Sequence, residues 1–475
     1  MMATGNSKPS GNSGQSSADQ LVEDILLMLA KLAVLLGSWT VRFPVLSLPI
    51  IMIAWAGAWF GWGGGLIVAG VYALIYIALA LVDPAGFGAA SWLPVRTAYL
   101  TWWRYKHAWA QVCTLHGLTA TLGERTMVPR LRSVRIGTAT DTLNIGMVTG
   151  QTATDWGKQA DALAHAWGSG RVTVRSLQPG QLTVTVHRDD TLAAAVRLPR
   201  PTDATRVQLA AVTVGVTDTG TPWRLPIQGH HILVAGSTGS GKSSVVQSLV
   251  AGLAPAVRSG LVQLCVIDPK GGMEFARGAG LFTAFAADRT EQTLELLRGL
   301  VKLMDGRTQL LRGHTRTHTP SVEDPLTVVI IDELAALTAY GTDRKIRAEV
   351  DQLLGLLLSQ GRAVGITLIG AVQDPSKEVV SLRQYFTVRV GLRLTESNQT
   401  TMILGQAARD AGAVCDEIPE STPGVGYVMV DGTAEPQRVR AFHVTDDDID
   451  YLVTHFRPPK RRRLPRRPDT ASSQG

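Results

Sequence analysis

Cysteine is scarce in this chain of 475 residues: there are 3, at Cys113, Cys265 and Cys415. Odd in number and scattered, they offer neither a disulfide framework nor the spacing of metal ligands. That excludes a small disulfide-stapled fold and makes a reducing compartment the expectation. Large apolar groups are nearly absent from residues 1–20, where Gly, Ser, Asn and Gln dominate. Such a stretch cannot bury enough surface to offset chain entropy, so a disordered start is expected. A basic n-region followed by an apolar core and a small-residue cleavage site is also missing there, and no cleavable leader is expected. No internal repeat is visible. The length leaves room for about three domains.

Acid is missing where base is densest. The segment RPPKRRRLPRR holds Arg457, Lys460, Arg461, Arg462, Arg463, Arg466 and Arg467 without one carboxylate. The formal net charge is +7, so these seven cations account for all of it and the body is formally neutral. A tail over 446–475 is therefore expected to meet a polyanion, either nucleic-acid phosphates or anionic lipid.

Charge is also missing from two long apolar runs. PVLSLPIIMIAWAGAWF (44–60) and GGLIVAGVYALIYIALALV (64–82) contain no charged residue. At about 1.5 Å per residue each approaches the hydrocarbon thickness of a bilayer. The GWGG link is too short for a domain, so a transmembrane hairpin is expected over 41–83. Trp55, Trp59 and Trp62 stand where an interfacial belt belongs. Arg42 before it, with Arg96, Arg104 and Lys106 after it, puts both ends in the cytoplasm. The preceding LVEDILLMLAKLAVLLG carries Glu23, Asp24 and Lys31. A central charge costs roughly 2.5 to 3.5 kcal/mol against about 0.3 to 0.6 returned per Leu or Ile. An amphipathic helix over 21–40, lying on a membrane or a neighbour, fits better than a third span. The Trp- and Tyr-rich stretch 91–112, within a linker over 84–127, reads as an interfacial helix or as packing for the next domain.

Two kinds of folded body follow. Residues 128–200 read as a small α+β subdomain: strand-like LNIGMVTG and VTVRSLQPGQLTVTVHRD flank a helical TATDWGKQADALAHAWG. From 201 to 445 apolar strand-like runs alternate with helical stretches, the α/β pattern of a mostly parallel sheet.

Within that second body, HILVAGSTGSGKSSVVQSLV runs from an apolar stretch through a glycine-rich turn into a helical one. Gly236, Ser237, Thr238, Gly239, Ser240, Gly241, Lys242, Ser243 and Ser244 satisfy a phosphate-binding P-loop. Its backbone N–H groups turn onto phosphate oxygens, Lys242 reaches the β- and γ-phosphates, and Ser243 offers its hydroxyl to Mg²⁺. ATP with Mg²⁺ is the expected cofactor pair. Further along, LTVVIIDELAAL ends a buried strand in Asp332, expected to hold the metal through water, and Glu333, expected to deprotonate the attacking water. Gln373 closes a third strand and suits sensing of the γ-phosphate. Arg362, in the Gly-flanked SQGRAVG, is a candidate for stabilising the transition state from across a subunit boundary, with Arg389 and Arg393 as rivals. In CVIDPKGGMEF, Lys270 follows a strand in a mobile-looking Gly-Gly loop that suits a polyanion, a nucleotide or an ordinary turn. His314 and His318 read as loop residues, and His230 and His231 as structural.

With these strand-end motifs in place, the chain resembles the FtsK/SpoIIIE family of DNA translocases over about 205–445. The resemblance rests on GSTGSGKSS, IDPKGG, VVIIDELAAL, QGRAVGI, AVQDP and MILGQAARDAGAVCDEIPESTPGVGYV. It is nearest to the conjugative TraB/TraSA type of actinomycete plasmids and integrative elements. What it implies is a RecA-like P-loop motor that assembles as a homo-hexameric ring and threads double-stranded DNA. ATP would be hydrolysed at subunit interfaces, with Arg362 making the contact in trans. The whole would be a plasma-membrane protein with two spans and a cytoplasmic motor. Chromosome segregation at division and type VII-like protein secretion are the alternative roles. In VQDP, Asp374 stands where chromosomal members carry an arginine. No winged-helix module is expected in the residues after 445.

Overall fold

The computed structural model describes residues 15–123, 125–202, 205–338, 344–373, 375, 382–433 and 435–459. Residues 1–14, Asp374 and the tail from Lys460 therefore lie outside the described residues. The chain divides into two compact units, one ending at Asp189 and one beginning at Asp190.

In the first unit, helix α1 (Gln15–Arg42) begins inside the stretch expected to be disordered. Extending a helix fixes one residue per added hydrogen bond, so it runs past the apolar segment that nucleates it. Helix α2 (Pro44–Val82) leaves helical geometry at Gly61, where φ is 73° and ψ 178°. The chain folds back there: the Tyr76 hydroxyl donates to the Val45 carbonyl. A Cβ on Gly65 would lie 3.4 Å from the Ile53 carbonyl oxygen, so small residues let the two arms touch. Among the described residues α2 is the one helix long and apolar enough to cross a membrane. Its outer surface is apolar, with Trp62 83% and Leu81 79% exposed.

After α3 (Pro84–Ala90), the aromatic stretch is not one helix. It divides into α4 (Trp92–Thr101), a π-helical turn (Trp102–Lys106) and α5 (Trp109–Leu115). Packing accounts for the break. Tyr105, Trp109 and Cys113 are buried with Trp156 and Trp167 in the core of the small domain, whereas Trp102 and Trp103 stay exposed. Arg104, one of the cations that follow the apolar runs, pairs at 2.7 Å with the buried Asp141. Asp141 also accepts from Tyr105 Oη at 2.7 Å and Arg188 Nε at 3.3 Å. A buried carboxylate needs this compensation.

The short pair β1 (Ala120–Leu122) and β2 (Arg125–Met127) precedes a four-stranded antiparallel sheet, ordered β3-β4-β6-β5. Its strands are β3 (Arg130–Ile136), β4 (Thr140–Gly146), β5 (Arg171–Gln178) and β6 (Gln181–His187). The helical stretch between them divides at Gln159 into α6 (Ala153–Lys158) and α7 (Ala160–Ala166). Thr152 caps the first: its hydroxyl accepts from Asp155 N–H, and Asp155 accepts from Thr152 N–H. This reciprocal cap fixes the helix start.

The second unit is built on one ten-stranded sheet, ordered β11-β10-β12-β13-β9-β14-β15-β16-β7-β8. In chain order these are β7 (Val212–Thr217), β8 (Pro222–Leu225), β9 (Ile232–Ala235), β10 (Val262–Ile267), β11 (Ala284–Ala286), β12 (Leu326–Ile331), β13 (Ile366–Val372), β14 (Val388–Leu392), β15 (Val425–Val430) and β16 (Gln437–Ala441). The half from β11 to β14 is parallel, and the half from β14 to β8 is antiparallel. The mostly parallel sheet expected from the sequence is thus corrected to a mixed one. Links as short as 218–221 and 431–436 close only antiparallel pairs, since a parallel pair needs a crossover of a dozen or more residues.

Helix α8 (Lys242–Arg258) covers one face, burying Val245, Leu249 and Leu253 against Ile232, Val234, Val328 and Ile330. On the other face α9 (Glu291–Leu311) and α10 (Arg344–Gln360) bury Leu297, Met304, Leu354 and Leu358 against Leu233, Ala235, Val329 and Ile331. Successive residues of β9 and β12 thus face opposite layers. That is why these strands read as unbroken apolar runs.

Candidate functional site

The central strand β9 is buried along its length and feeds the P-loop directly. Gly236 is buried and Ser237 to Gly239 line the open side. Lys242 to Ser244 form the first turn of α8. Gly241 must be glycine: its φ is 94°, and a Cβ there would meet the Gly424 backbone nitrogen at 2.2 Å. Lys242 Nζ donates to the carbonyls of Gly236 (2.6 Å) and Ser237 (3.1 Å). Burial lowers its pKa to about 8, against the pull of Glu333 and Asp332. Ser243 Oγ donates to Glu274 Oε2 at 2.9 Å.

The acidic pair arrives from β12, two strands away in the sheet. Asp332 N–H donates to the Ile267 carbonyl at 3.0 Å, which registers the strand end against β10. Both carboxylates are buried. Burial raises the pKa of each: Lys270 opposes the rise at Asp332, while the Gln373 N–H, Lys270 and Lys242 oppose it at Glu333. Lys270 Nζ lies 3.1 Å from Asp332 Oδ2 and 3.7 Å from Glu333 Oε2. The nearer contact holds the buried Asp332 Oδ2 in an ion pair with the Lys270 ammonium. Asp332 and the Ser243 hydroxyl are hard oxygen donors, the set that suits Mg²⁺.

Gln373 follows directly on β13, which lies between β12 and β9. Its N–H donates to Glu333 Oε1 at 3.3 Å, and Thr238 Oγ1 donates to its side-chain Oε1 at 3.4 Å. Gln373 therefore touches both the acid and the phosphate loop. A raised-pKa carboxylate held this way is a stronger base than a solvated one.

The arginines separate by position. Arg393, just past β14, donates to the Thr238 carbonyl at 3.0 Å and pairs with Glu420 at 3.0 Å, so it belongs to its own chain's P-loop. Arg389 pairs with Asp431 at 3.1 Å. Arg362 lies in the 3₁₀ turn Gly361–Val364 that enters β13, at the sheet edge opposite Gln373. The intervening strand spans about 20 Å at ~3.3 Å per residue. Arg362 is exposed; its carbonyl accepts from the Gly365 N–H at 3.5 Å, and its guanidinium is in no hydrogen bond or ion pair found among the described residues. The structure thus brings Lys242, Ser243, Asp332, Glu333 and Gln373 to one end of the sheet and leaves Arg362 at the other, while Arg389 is engaged with Asp431.

Sequence reasoning missed what holds that turn. Arg307, buried on α9, donates to the Val364 and Gly365 carbonyls at 3.0 Å each and pairs with Asp324 at 2.7 Å. His318 pairs with Asp324 at 3.0 Å, and its N–H donates to the Ala363 carbonyl at 2.8 Å. His314 stays in the adjoining turn. His231 is fully buried, its Nδ1 accepting from Leu368 N–H at 2.9 Å, and burial lowers its pKa to about 3. Arg307→Ala would take the guanidinium donor from the Val364, Gly365 and Pro325 carbonyls. We expect a loss of about 3 kcal/mol in unfolding free energy, read as a fall in the denaturant midpoint of the full chain in detergent.

Comparison with known proteins matches residues 195–414 to the FtsK/SpoIIIE family and residues 85–188 to the actinomycete conjugal transfer protein N-terminal domain. The transfer protein TraSA of Streptomyces ambofaciens is 32% identical over 339 residues, 66% of this chain and 78% of that one. This chain belongs to the FtsK/SpoIIIE family. As a member it is a nucleotide-binding ATPase. A DNA translocase FtsK of Streptococcus pyogenes serotype M3 (strain SSI-1) is 26% identical over 327 residues. That match covers 63% of this FtsK/SpoIIIE member but only 38% of the translocase. Among solved structures, the pCW3 conjugation coupling protein TcpA, with ATPgS, aligns over 73% of this chain and 98% of its own, at 22% identity and a TM-score of 0.49. The cytoplasmic domain of the Thermomonospora curvata type VII secretion ATPase EccC aligns over 56% of this chain and 33% of its own, at 24% identity and a TM-score of 0.43.

Proposed function

We propose that the chain is a membrane-anchored, ATP-driven translocase of double-stranded DNA that serves conjugative transfer of a plasmid or integrative element. One observation carries the reading. A hydrolytic constellation of Lys242, Asp332, Glu333 and Gln373 stands in the same chain as a segment matching the conjugal transfer N-terminal domain. The apolar exterior of α2 supports an anchor, since exposed apolar surface of that extent is covered by lipid or partner. Its two arms would cross the bilayer as a hairpin, leaving the motor in the cytoplasm.

In this reading the P-loop N–H groups and Lys242 bind the phosphates, and Ser243, with Asp332 through water, would hold Mg²⁺. When bound, the metal would supply positive charge that offsets the charge on the phosphates. Glu333 accepts the proton of the attacking water, while Gln373 links that acid to Thr238 on the phosphate loop. Arg362 of a neighbouring subunit completes the site in a homo-hexameric ring, which accounts for its place on the far edge of the sheet.

Duplex DNA is expected to raise the ATPase rate of the full chain several-fold, and Lys242→Ala to abolish both basal and stimulated turnover. A correctly assembled protein whose turnover ignores duplex DNA would remove DNA as the substrate. Scoring plasmid transfer against nucleoid partition in a deletion strain then separates conjugation from division.

A further inference from the structure

The loop after β10 reaches into the site from a part of the sequence outside both phosphate-binding motifs. Asp268 is fully buried at the strand end and accepts from the N–H groups of Lys270 (3.1 Å), Glu274 (3.0 Å) and Phe275 (3.3 Å). These bonds pin both ends of the loop. Between them Gly271 (φ 81°) and Gly272 (φ 80°) take consecutive left-handed conformations, which bulkier residues rarely adopt, and Met273 is 88% exposed. The geometry delivers two opposite charges to two different oxygens. The Lys270 ammonium lies at Asp332, and the Glu274 carboxylate accepts from the Ser243 hydroxyl.

We propose that Lys270 and Glu274 are positioning residues of the metal site with opposed effects: Lys270 competes with Mg²⁺ for Asp332, and Glu274 turns the Ser243 hydroxyl so that its lone pairs face the metal. The inference rests on Ser243 and Asp332 as the metal-binding pair. An ammonium and a divalent cation at the same carboxylate repel each other, so each weakens the other's hold on Asp332. Arrival of the metal with nucleotide therefore displaces Lys270 from its position at Asp332. Glu274 has the reverse relation. A hydroxyl oxygen that ligates a cation becomes a better hydrogen-bond donor, so metal binding strengthens its bond to Glu274. Lys270 and Glu274 stand on one short loop with a twin-glycine middle, so displacing one end and holding the other moves the exposed Met273. The loop thereby registers occupancy of the site.

The test is the Mg²⁺ concentration that half-saturates binding of a fluorescent, non-hydrolysable ATP analogue to the full chain. Lys270→Gln is expected to lower it about two- to fivefold, the scale of a partly exposed ion pair, with Lys270→Arg restoring the wild-type value. Glu274→Ala is expected to raise it by a similar factor. An environment-sensitive dye on Met273→Cys reads the loop directly, since Cys113, Cys265 and Cys415 are buried. Its signal should change only when Mg²⁺ and analogue are both present, and the change should shrink when Lys270→Gln is added. A higher Mg²⁺ requirement in Lys270→Gln, or a dye response indifferent to that substitution, overturns the proposal while leaving the site reading intact. A wild-type chain that binds the analogue without regard to Mg²⁺ overturns the metal-site reading and this inference with it.

Discussion

A Glu333→Gln chain is expected to bind ATP as tightly as the wild type and to hydrolyse it about a hundred- to ten-thousand-fold more slowly, the usual contribution of a positioned base. The substitution is nearly isosteric, and the amide oxygen can still accept from the Gln373 N–H that Glu333 accepts at 3.3 Å. Burial already disfavours the charged form of Glu333, so a neutral group there does not threaten the fold. Lys270 keeps its nearer partner, Asp332. What disappears is the one group in contact with Gln373 that can take a proton from water. Single-turnover hydrolysis alongside equilibrium nucleotide binding separates the two effects. Full turnover in Glu333→Gln would move the base elsewhere, with Asp332 next in line. Asp332→Asn should behave differently, weakening Mg²⁺-dependent binding before it touches the chemical step.

The contrast between Glu333 and Glu274 shows what a linear sequence can reveal. Phosphate binding needs several N–H groups, a lysine and a hydroxyl at fixed spacing, so nature confines it to one contiguous turn. An acidic pair that ends an apolar run is legible for the same reason: the strand carries it to the edge of the sheet. Glu274 has no such local grammar. It acts on Ser243 only because β10 lies three strands from β9 and its loop folds back. Arg307 is hidden likewise: its partners Asp324 and Gly365 come from two other segments, and a buried arginine in a helix looks in sequence like a solvated one. Periodicity misled in a third way at 91–112. A helical stripe of aromatics predicts one straight helix, yet Tyr105 and Trp109 are drawn into the core of the small domain and the helix breaks to let them. The antiparallel half of the large sheet escaped notice because its short strands look, one at a time, like any other buried strand.

Arg362→Ala and Lys242→Ala, each silent alone, should regain turnover when mixed. An arginine that stabilises phosphoryl-transfer charge from across an interface is worth about a thousand- to a hundred-thousand-fold in rate, so the single arginine variant should fall near background. Arg362 cannot serve its own P-loop, because the length of β13 separates its turn from Gln373. In a ring of head-to-tail contacts, an Arg362→Ala subunit keeps an intact phosphate site that a neighbouring Lys242→Ala subunit can complete. Random mixing in equal amounts forms such a pair at about one interface in four, which sets the ceiling of recovery. Arg393→Ala is the built-in control. That arginine already holds the Thr238 carbonyl of its own chain, so its loss damages the same site that Lys242→Ala damages and mixing the two restores nothing. Recovery with Arg393→Ala and none with Arg362→Ala would exchange the two roles. Recovery with neither would place hydrolysis within a single subunit and remove the ring from the mechanism.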